Sequence, residues 1–430
     1  MGNRVFNNAM WIIVCRIIQS CLALIVGMLT ARYLGPSNYG LINYASSVVA
    51  FVVPVMYLGL NSILVQELVN TPENEGVILG TSITMSLISG VLCIIGVSAF
   101  ILIANRGEYE TFIVCLLYSG ILFFQAFDLL QYWFQAKLLS KYTSLTMLFA
   151  YFLVSIYKII LLIMKKNIYW FAISNVIDYI IIAVLLLTIY LKLGGQKFSI
   201  SLKKGRYLIN RSKYYIISGL MIVIFTQTDK VMLKIMLNDS AIGYYSAAVT
   251  CAGLSSFVFS AIIDSARPSI FEGAKISVEK FRINMIRLYS IVIYMSLAQS
   301  VIMTFFASPI VEILYGQQYV ATAGVLKLVV WYTTFSYLGY VRGIWMLVEE
   351  KQKYLLIINV SGAIANVILN FSLIPYLGMN GAAISSIITQ FFSNVVIGFL
   401  IKDIRPNNKL MVKALSPKYA IDIAKMLIKR

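Results

Sequence analysis

The sequence predicts an all-α polytopic membrane protein, with twelve transmembrane helices in two six-helix lobes. Three observations predict it. Sixty per cent of the 430 residues are hydrophobic and only 12% are charged, with a mean hydropathy of +0.85. Soluble domains sit nearer half apolar and a quarter charged. Four runs, 33–66, 77–104, 288–311 and 354–401, carry no charge at all, and about 20 apolar residues of helix cross a bilayer. Finally, the chain repeats itself. Leu34-Gly35-Pro36-Ser37-Asn38-Tyr39-Gly40, followed by Tyr44-Ala45, recurs as Leu237-Asn238-Asp239-Ser240-Ala241-Ile242-Gly243, followed by Ala247-Ala248. Leu34/Leu237, Ser37/Ser240, Gly40/Gly243 and Ala45/Ala248 are each 203 residues apart, the kind of internal symmetry on which many polytopic folds are built.

Each element follows in order. Span one is expected at 9–32, an apolar stretch holding Arg16 and ending at Arg32. No small-residue cleavage site follows it, so it reads as a span rather than a cleavable signal peptide. Span two, 40–66, is uncharged up to Glu67, and span three, 77–104, is uncharged throughout. Spans four (111–136), five (143–164) and six (168–191) each admit one internal charge, Asp128, Lys158 and Asp178. The basic, glycine-containing stretch 192–213 then separates the lobes. Span seven, 214–237, holds Asp229, Lys230 and Lys234, and span eight, 241–264, closes on Asp264. Spans nine (286–307) and ten (319–346) follow, the latter with Lys327 and Arg342. The run 354–401 is too long for one span and breaks near Pro375, Gly378 and Gly381, giving 354–376 and 380–401. The expected domains are a first lobe 1–191, a cytoplasmic linker 192–213, a second lobe 214–401 and a tail 402–430. In the tail, Leu410, Met411, Leu415 and Ile421 alternate with basic residues, as in an amphipathic helix lying on anionic membrane lipids.

The net charge of +18 is unevenly spread. One set of alternate loops collects most Lys and Arg; the other has only Arg32, Arg106, Lys165 and Lys166. The positive-inside rule then places both termini in the cytoplasm. These cations lie in short loops beside spans, so they do not form a nucleic-acid surface. The five cysteines all fall within spans, without metal or redox spacing, and histidine is absent. No metal or cofactor is therefore expected, and imidazole chemistry is excluded. There is no phosphate-binding G-x-x-x-x-G-K-[ST] loop and no Asp-x-Asp pair.

Charges within spans cost about 2.5–3.5 kcal/mol each on insertion scales unless they face a polar interior. Gln125, Asp128, Tyr132 and Gln135 stack at helical spacing on span four, as do Gln227, Lys230 and Lys234 on span seven. Lys327, Trp331 and Thr334 mark span ten, and Asn359, Asn366 and Asn370 mark span eleven. These stripes are expected to line one shared aqueous cavity. Cations outnumber carboxylates in it, which suits an anionic substrate. Arg16, Lys230, Lys234 and Lys327 are the candidate substrate cations, with Gln125, Tyr132, Gln227 and Asn366 as polar lining. Asp128, Asp178 and Asp229 are the candidates for coupling to an ion. Snorkelling to the interface is the competing reading for Arg16, Asp264 and Arg342, and an internal ion pair is the competing reading for Asp229.

These residues carry a resemblance. Ala31-Arg32-Tyr33-Leu34-Gly35-Pro36-Ser37-Asn38-Tyr39-Gly40 resembles the first loop of Wzx-type polysaccharide flippases, within the multidrug/oligosaccharidyl-lipid/polysaccharide exporter (MOP) superfamily. So does Gln227-Thr228-Asp229-Lys230-Val231-Met232-Leu233, leading to Ile242-Gly243-Tyr244-Tyr245-Ser246-Ala247-Ala248, and Asn380-Gly381-Ala382-Ala383-Ile384 resembles their penultimate turn. The resemblance implies a MATE-like, V-shaped exporter fold in the bacterial inner membrane. It implies transfer of an undecaprenyl-pyrophosphate-linked oligosaccharide, such as an O-antigen unit, to the outer leaflet by alternating access. It further implies proton or sodium coupling, polymerase and chain-length proteins as partners, and no enzymatic step. By position, Arg16, Lys230 and Lys234 match that family's cavity cations best. Two rival functions remain: a drug exporter of the same fold, which favours an acidic cavity, and a membrane polymerase or ligase, which needs a larger outer loop.

Overall fold

The computed structural model describes the backbone of residues 2–419, together with the side chains of 11 and 14–419. The part of the expected tail beyond 419, including Ile421, lies outside the described residues. Every regular element described is helical.

α1 (Gly2–Met56) runs for 55 residues, far more than one crossing, and breaks at Gly35 (φ 72°, ψ 171°) ahead of Pro36. Only glycine adopts that φ without strain, so α1 contains the first two expected spans. α2 (Leu64–Asn70) is short, and α3 (Glu75–Ala104) is the third span. The fourth span, 109–136, is not one continuous helix. It comprises α4 (Tyr109–Ser119), α5 (Ile121–Gln125), a 3₁₀ turn at Ala126–Leu129 and α6 (Leu130–Ala136). α7 (Ser140–Ile163), α8 (Ile168–Lys192) and α9 (Leu202–Met236) follow.

The repeated motif breaks the chain in register. Asn238, 203 residues after Gly35, is extended (φ −167°, ψ 176°), and its side chain accepts a hydrogen bond from the Ala241 amide to cap α10 (Asp239–Ala252). α11 (Ser256–Ile276) is bent by 40° from α10. Then come α12 (Val278–Phe305), the short α13 (Ala307–Tyr315), α14 (Val320–Val348), α15 (Lys353–Leu377) and α16 (Met379–Phe391). A π-helical turn, Phe392–Val396, joins α16 to α17 (Ile397–Leu400), and α18 (Arg405–Lys413) follows.

Among the described residues nine helical stretches are long and apolar enough to cross a membrane, and the bent α10–α11 pair makes a tenth. The twelve expected spans are consistent with this, because α1 holds two of them and α14 holds another. α14 packs against α10, α11, α12, α13 and α16, and Thr333, Thr334 and Arg342 are buried along it.

Two compact units result, 1–235 and 236–430. The division falls at the end of α9, beyond the stretch 192–213 expected as a linker. Two sets of bonds explain why α9 joins the first unit. Glu67, buried at the end of α1–α2, accepts from Lys204 Nζ at 2.9 Å, Tyr207 OH at 3.3 Å and Arg211 Nη1. At the other end, Lys234 Nζ lies 2.6 Å from Glu108 Oε2. The intervening stretch 196–201 is strapped along α3. Ser199 N donates to Gly76 O at 3.2 Å, Gly76 N to Gln196 Oε1 at 3.0 Å and Ser201 N to Thr81 Oγ1 at 3.0 Å. Glycine is required for that approach, since a Cβ on Gly76 would lie 2.3 Å from Lys197 O.

The core of the first unit includes Leu60, Leu64, Leu130, Phe134 and Tyr190. Trp133 meets Tyr190 edge-on at 4.9 Å, and Tyr190 stacks on Phe198 of the strap at 5.1 Å. The core of the second unit gathers on α12 and α14, with Phe259 and Tyr337 stacked at 4.0 Å.

Candidate functional site

Within the first unit, the polar residues expected to line a cavity lie in distinct environments. In the first unit the 3₁₀ turn at Ala126–Leu129 divides the span-four stripe. An α-helix advances 100° per residue and a 3₁₀ turn 120°, so residues on either side of the turn lose their common face. Gln135 lines an open cup of about 290 Å³ together with Arg16, Gln19, Gln131 and Thr143. Ser140 and Ser144 complete its polar wall. The lining has one guanidinium, several neutral hydrogen-bonding groups and no carboxylate. Arg16 itself is exposed.

Gln125 and Asp128 instead turn inward. Tyr57 OH donates to Asp128 Oδ2 at 3.4 Å and to Gln125 O at 3.3 Å. Asp128 Oδ1, Asp178 Oδ1 and Gln125 Oε1 are buried without a hydrogen-bond partner. Asp178 lies within the electrostatic reach of both Asp128 and Lys158, whose Nζ donates to Asn175 Oδ1 at 3.4 Å. Tyr132 also feels Asp128. Two carboxylates, a single lysine and three acceptor oxygens without a hydrogen-bond partner among the described residues thus lie on α5, the 3₁₀ turn, α7 and α8.

On α9, Gln227 Oε1 accepts from Ser47 Oγ at 3.1 Å. Lys230 is half-buried beside Asp229, and among the described residues no hydrogen bond or ion pair holds its ammonium. Lys234 is different: buried, ion-paired to Glu108, 3.4 Å from Thr111 Oγ1 and 5.9 Å from the Tyr44 ring centre. Burial pushes the Glu108 carboxyl up, but hydrogen bonds from Lys234 and Thr111 outweigh it and hold the group below the usual carboxylate range. Asp229 is buried in the same helix.

In the second unit Lys327 is exposed, while Trp331 Nε1 donates to Thr304 Oγ1 at 3.1 Å and Thr334 lies 3.3 Å from Ser300. Asn370 donates to Asn366 at 3.0 Å, both buried. Asp264 pairs with Arg267 at 3.2 Å in the open. Arg342, for which snorkelling to the interface is the competing reading, is 4% exposed and turned inward. Sequence reasoning missed Glu108, the Tyr57 contact and the cup residues Gln131, Ser140, Thr143 and Ser144. The pattern Gln131/Gln135 with Ser140/Ser144, two i, i+4 pairs flanking Lys137 and Lys141, was the available signal.

The apolar helical spans define a polytopic membrane protein, and similar solved structures share its fold. The chain matches the lipid II flippase MurJ, in an inward closed conformation, with a TM-score of 0.72 and 14% identity, over 96% of this chain and 93% of that one. It matches an inward-facing multidrug resistance MATE family transporter with a TM-score of 0.67 and 15% identity, over 91% and 95%. A MOP superfamily transporter from Pyrococcus furiosus, whose reversed binding-pocket polarity suggests a different function, matches at 0.53 with 13% identity, over 95% and 96%. Residues 5–273 match the polysaccharide biosynthesis protein family, and the chain belongs to it. The uncharacterized membrane protein MJ1068 of Methanocaldococcus jannaschii is 26% identical over 247 residues, 52% of this chain. The alignment spans 47%, about half, of that relative's length.

Proposed function

We propose that the protein moves a polyprenyl-pyrophosphate-linked oligosaccharide from the cytoplasmic to the outer leaflet of the bacterial inner membrane. The Arg16 cup carries this reading. Its single fixed cation suits a pyrophosphate, its amides and hydroxyls suit sugar hydroxyls, and it offers no carboxylate to a cationic drug. By the charge bias of the loops, both termini are cytoplasmic and the cup opens near that face, where the substrate is made. Membership of a polysaccharide biosynthesis family supports the substrate class.

The transfer needs no covalent chemistry. Stripping a pyrophosphate and several sugars of water costs several kcal/mol per unsatisfied group, and polar cavity groups replace that water while the lipid tail stays in the bilayer. Lys230, with no ion pair of its own among the described residues, is the second anion contact; Lys234, Lys327, Gln227, Tyr132 and Asn366 have secondary roles. Asp128, with Asp178, binds the coupling proton or sodium ion, and Asp229 supports Lys230. Polymerase and chain-length proteins receive the product.

The test is translocation of a labelled polyprenyl-pyrophosphate oligosaccharide in proteoliposomes. One charge-assisted contact contributes about 1.5–3 kcal/mol, so Arg16→Ala and Lys230→Ala should each lower transport more than tenfold, ~1.4 kcal/mol being one decade. The lysine and arginine swaps at these positions should retain part of it. Unaltered flux in Arg16→Ala, or efflux of a cationic dye by the wild type with no lipid transfer, would overturn the reading in favour of a drug exporter.

A further inference from the structure

Arg342 of α14 is among the most deeply buried charges in the second unit, at 4% exposure. Nη1 donates to the Ser393 carbonyl at 2.7 Å and Nη2 to Asn394 Oδ1 at 2.9 Å. Both acceptors belong to the π turn Phe392–Val396, and Asn394 is held in place by its own bond to Gln390 Oε1 at 2.7 Å. Among the described residues no carboxylate pairs with the guanidinium, and its Nε–H has no partner.

Two donors on residues linked to it, Ser393 through its carbonyl and Asn407 through Tyr289, have no partner among the described residues. Ser393 Oγ and Asn407 Nδ2 are buried and unbonded. Asn407 is tied to the cluster by Tyr289, whose hydroxyl donates to its Oδ1 at 2.9 Å and whose ring lies in the field of Arg342. The accessible surface of Ser393 is 2%, of Asn407 1% and of Tyr289 0%. Neutral groups alone do not offset a guanidinium taken out of water: leaving a buried charge unpaired is strongly destabilising, and two neutral acceptors satisfy only two of five N–H donors.

We propose that Arg342, Ser393 and Asn407 hold a small monovalent inorganic anion, chloride under ordinary conditions, as a structural ligand. The donor set is complementary to an anion: one fixed positive charge with an N–H, a hydroxyl and an amide N–H to spare. The sealed surroundings select against a phosphate-bearing headgroup, which would need an opening to bilayer or solvent. The anion ties α14, the π turn and α18 together, because Arg342, Ser393 and Asn407 come from those three elements.

The experiment is thermal unfolding of the detergent-solubilised full chain in sodium chloride, sodium bromide and sodium gluconate at equal ionic strength. Chloride and bromide should raise the unfolding midpoint saturably over gluconate, as expected for a ligand that binds only the folded state. Ser393→Ala, which keeps the charge, should shift the half-saturating chloride concentration severalfold upward. Arg342→Gln should abolish the difference between chloride and gluconate. A wild-type midpoint indifferent to the anion means that water alone fills the site and overturns the proposal. So does an anion response that survives unchanged in both variants, since that would belong to surface lysines. If Arg342→Gln yields no folded protein, the wild-type and Ser393→Ala titrations still decide the matter.

Discussion

At the scale of single residues, the sequence marks which charges lie in spans but not what they face. Lys230 and Lys234 sit one turn apart and read alike, yet Lys234 is committed to Glu108 while Lys230 is not. The partner comes from a loop 126 positions earlier, and no local pattern announces it. The pair has a pH signature. The Glu108 carboxyl is held below its ordinary value in the folded protein, so the unfolded chain binds more protons through that interval and stability rises with pH. Its contribution is fully present above the ordinary carboxylate range and disappears as pH falls through the lowered folded value. The Glu108 side chain is 45% exposed, so screening limits the effect, and Glu108→Gln should cost roughly 1 kcal/mol at neutral pH. Thermal melts across pH 3–7 (an interval about the usual carboxylate range) should show wild type and variant converging at the acid end. A constant gap would mean that Glu108 acts by packing alone. Asp128→Asn supplies a second prediction: substrate binding survives, but flux in proteoliposomes loses its dependence on an imposed proton or sodium gradient. Retained gradient dependence would move the coupling site elsewhere.

At the scale of elements, hydropathy located the apolar segments well and helical periodicity located their faces less well. α3, α7 and α8 lie close to their expected ranges, because a long apolar run with at most one internal charge has little other use in a membrane. Span four misled, since its stripe assumed 100° per residue across Ala126–Leu129, where the backbone tightens. No proline marks that turn, so nothing local signalled it. Composition marks 196–201 only as linker; its bonds to Gly76 and Thr81 depend on two small residues 120 positions away. Gly76→Val tests that element. Its new Cβ would press on the Lys197 carbonyl, and overpacking of this kind costs about 1–3 kcal/mol. Lower melting temperature and easier proteolysis between Leu193 and Leu202 are expected. An unchanged melt would show the strap to be passive.

At the scale of the whole molecule, composition alone was enough to establish an all-helical membrane protein, and the repeat predicted where the second copy of its first loop begins. Gly35 and Asn238 break their helices in register. Reporter fusions ending after Gly205 and after Ser240 should lie on opposite sides of the membrane; equal behaviour would contradict the twelve-span topology. The division into units was harder to read. Hydropathy treats every apolar segment as equivalent, whereas membership of a unit depends on which distant side chains α9 meets.

The bonds of α9 to Glu67 and Glu108 also impose an order on biosynthesis. A nascent chain that has inserted only through α8 has made both carboxylates but neither Lys204, Arg211 nor Lys234. Until α9 leaves the ribosome, that fragment carries Glu67 without the Lys204 and Arg211 that pair with it in the folded protein, a natural target for quality-control proteases. Chains truncated after 192 should therefore turn over faster in the cell than chains truncated after 236. Finishing the first unit thus depends on the segment that the internal repeat assigns to the second copy.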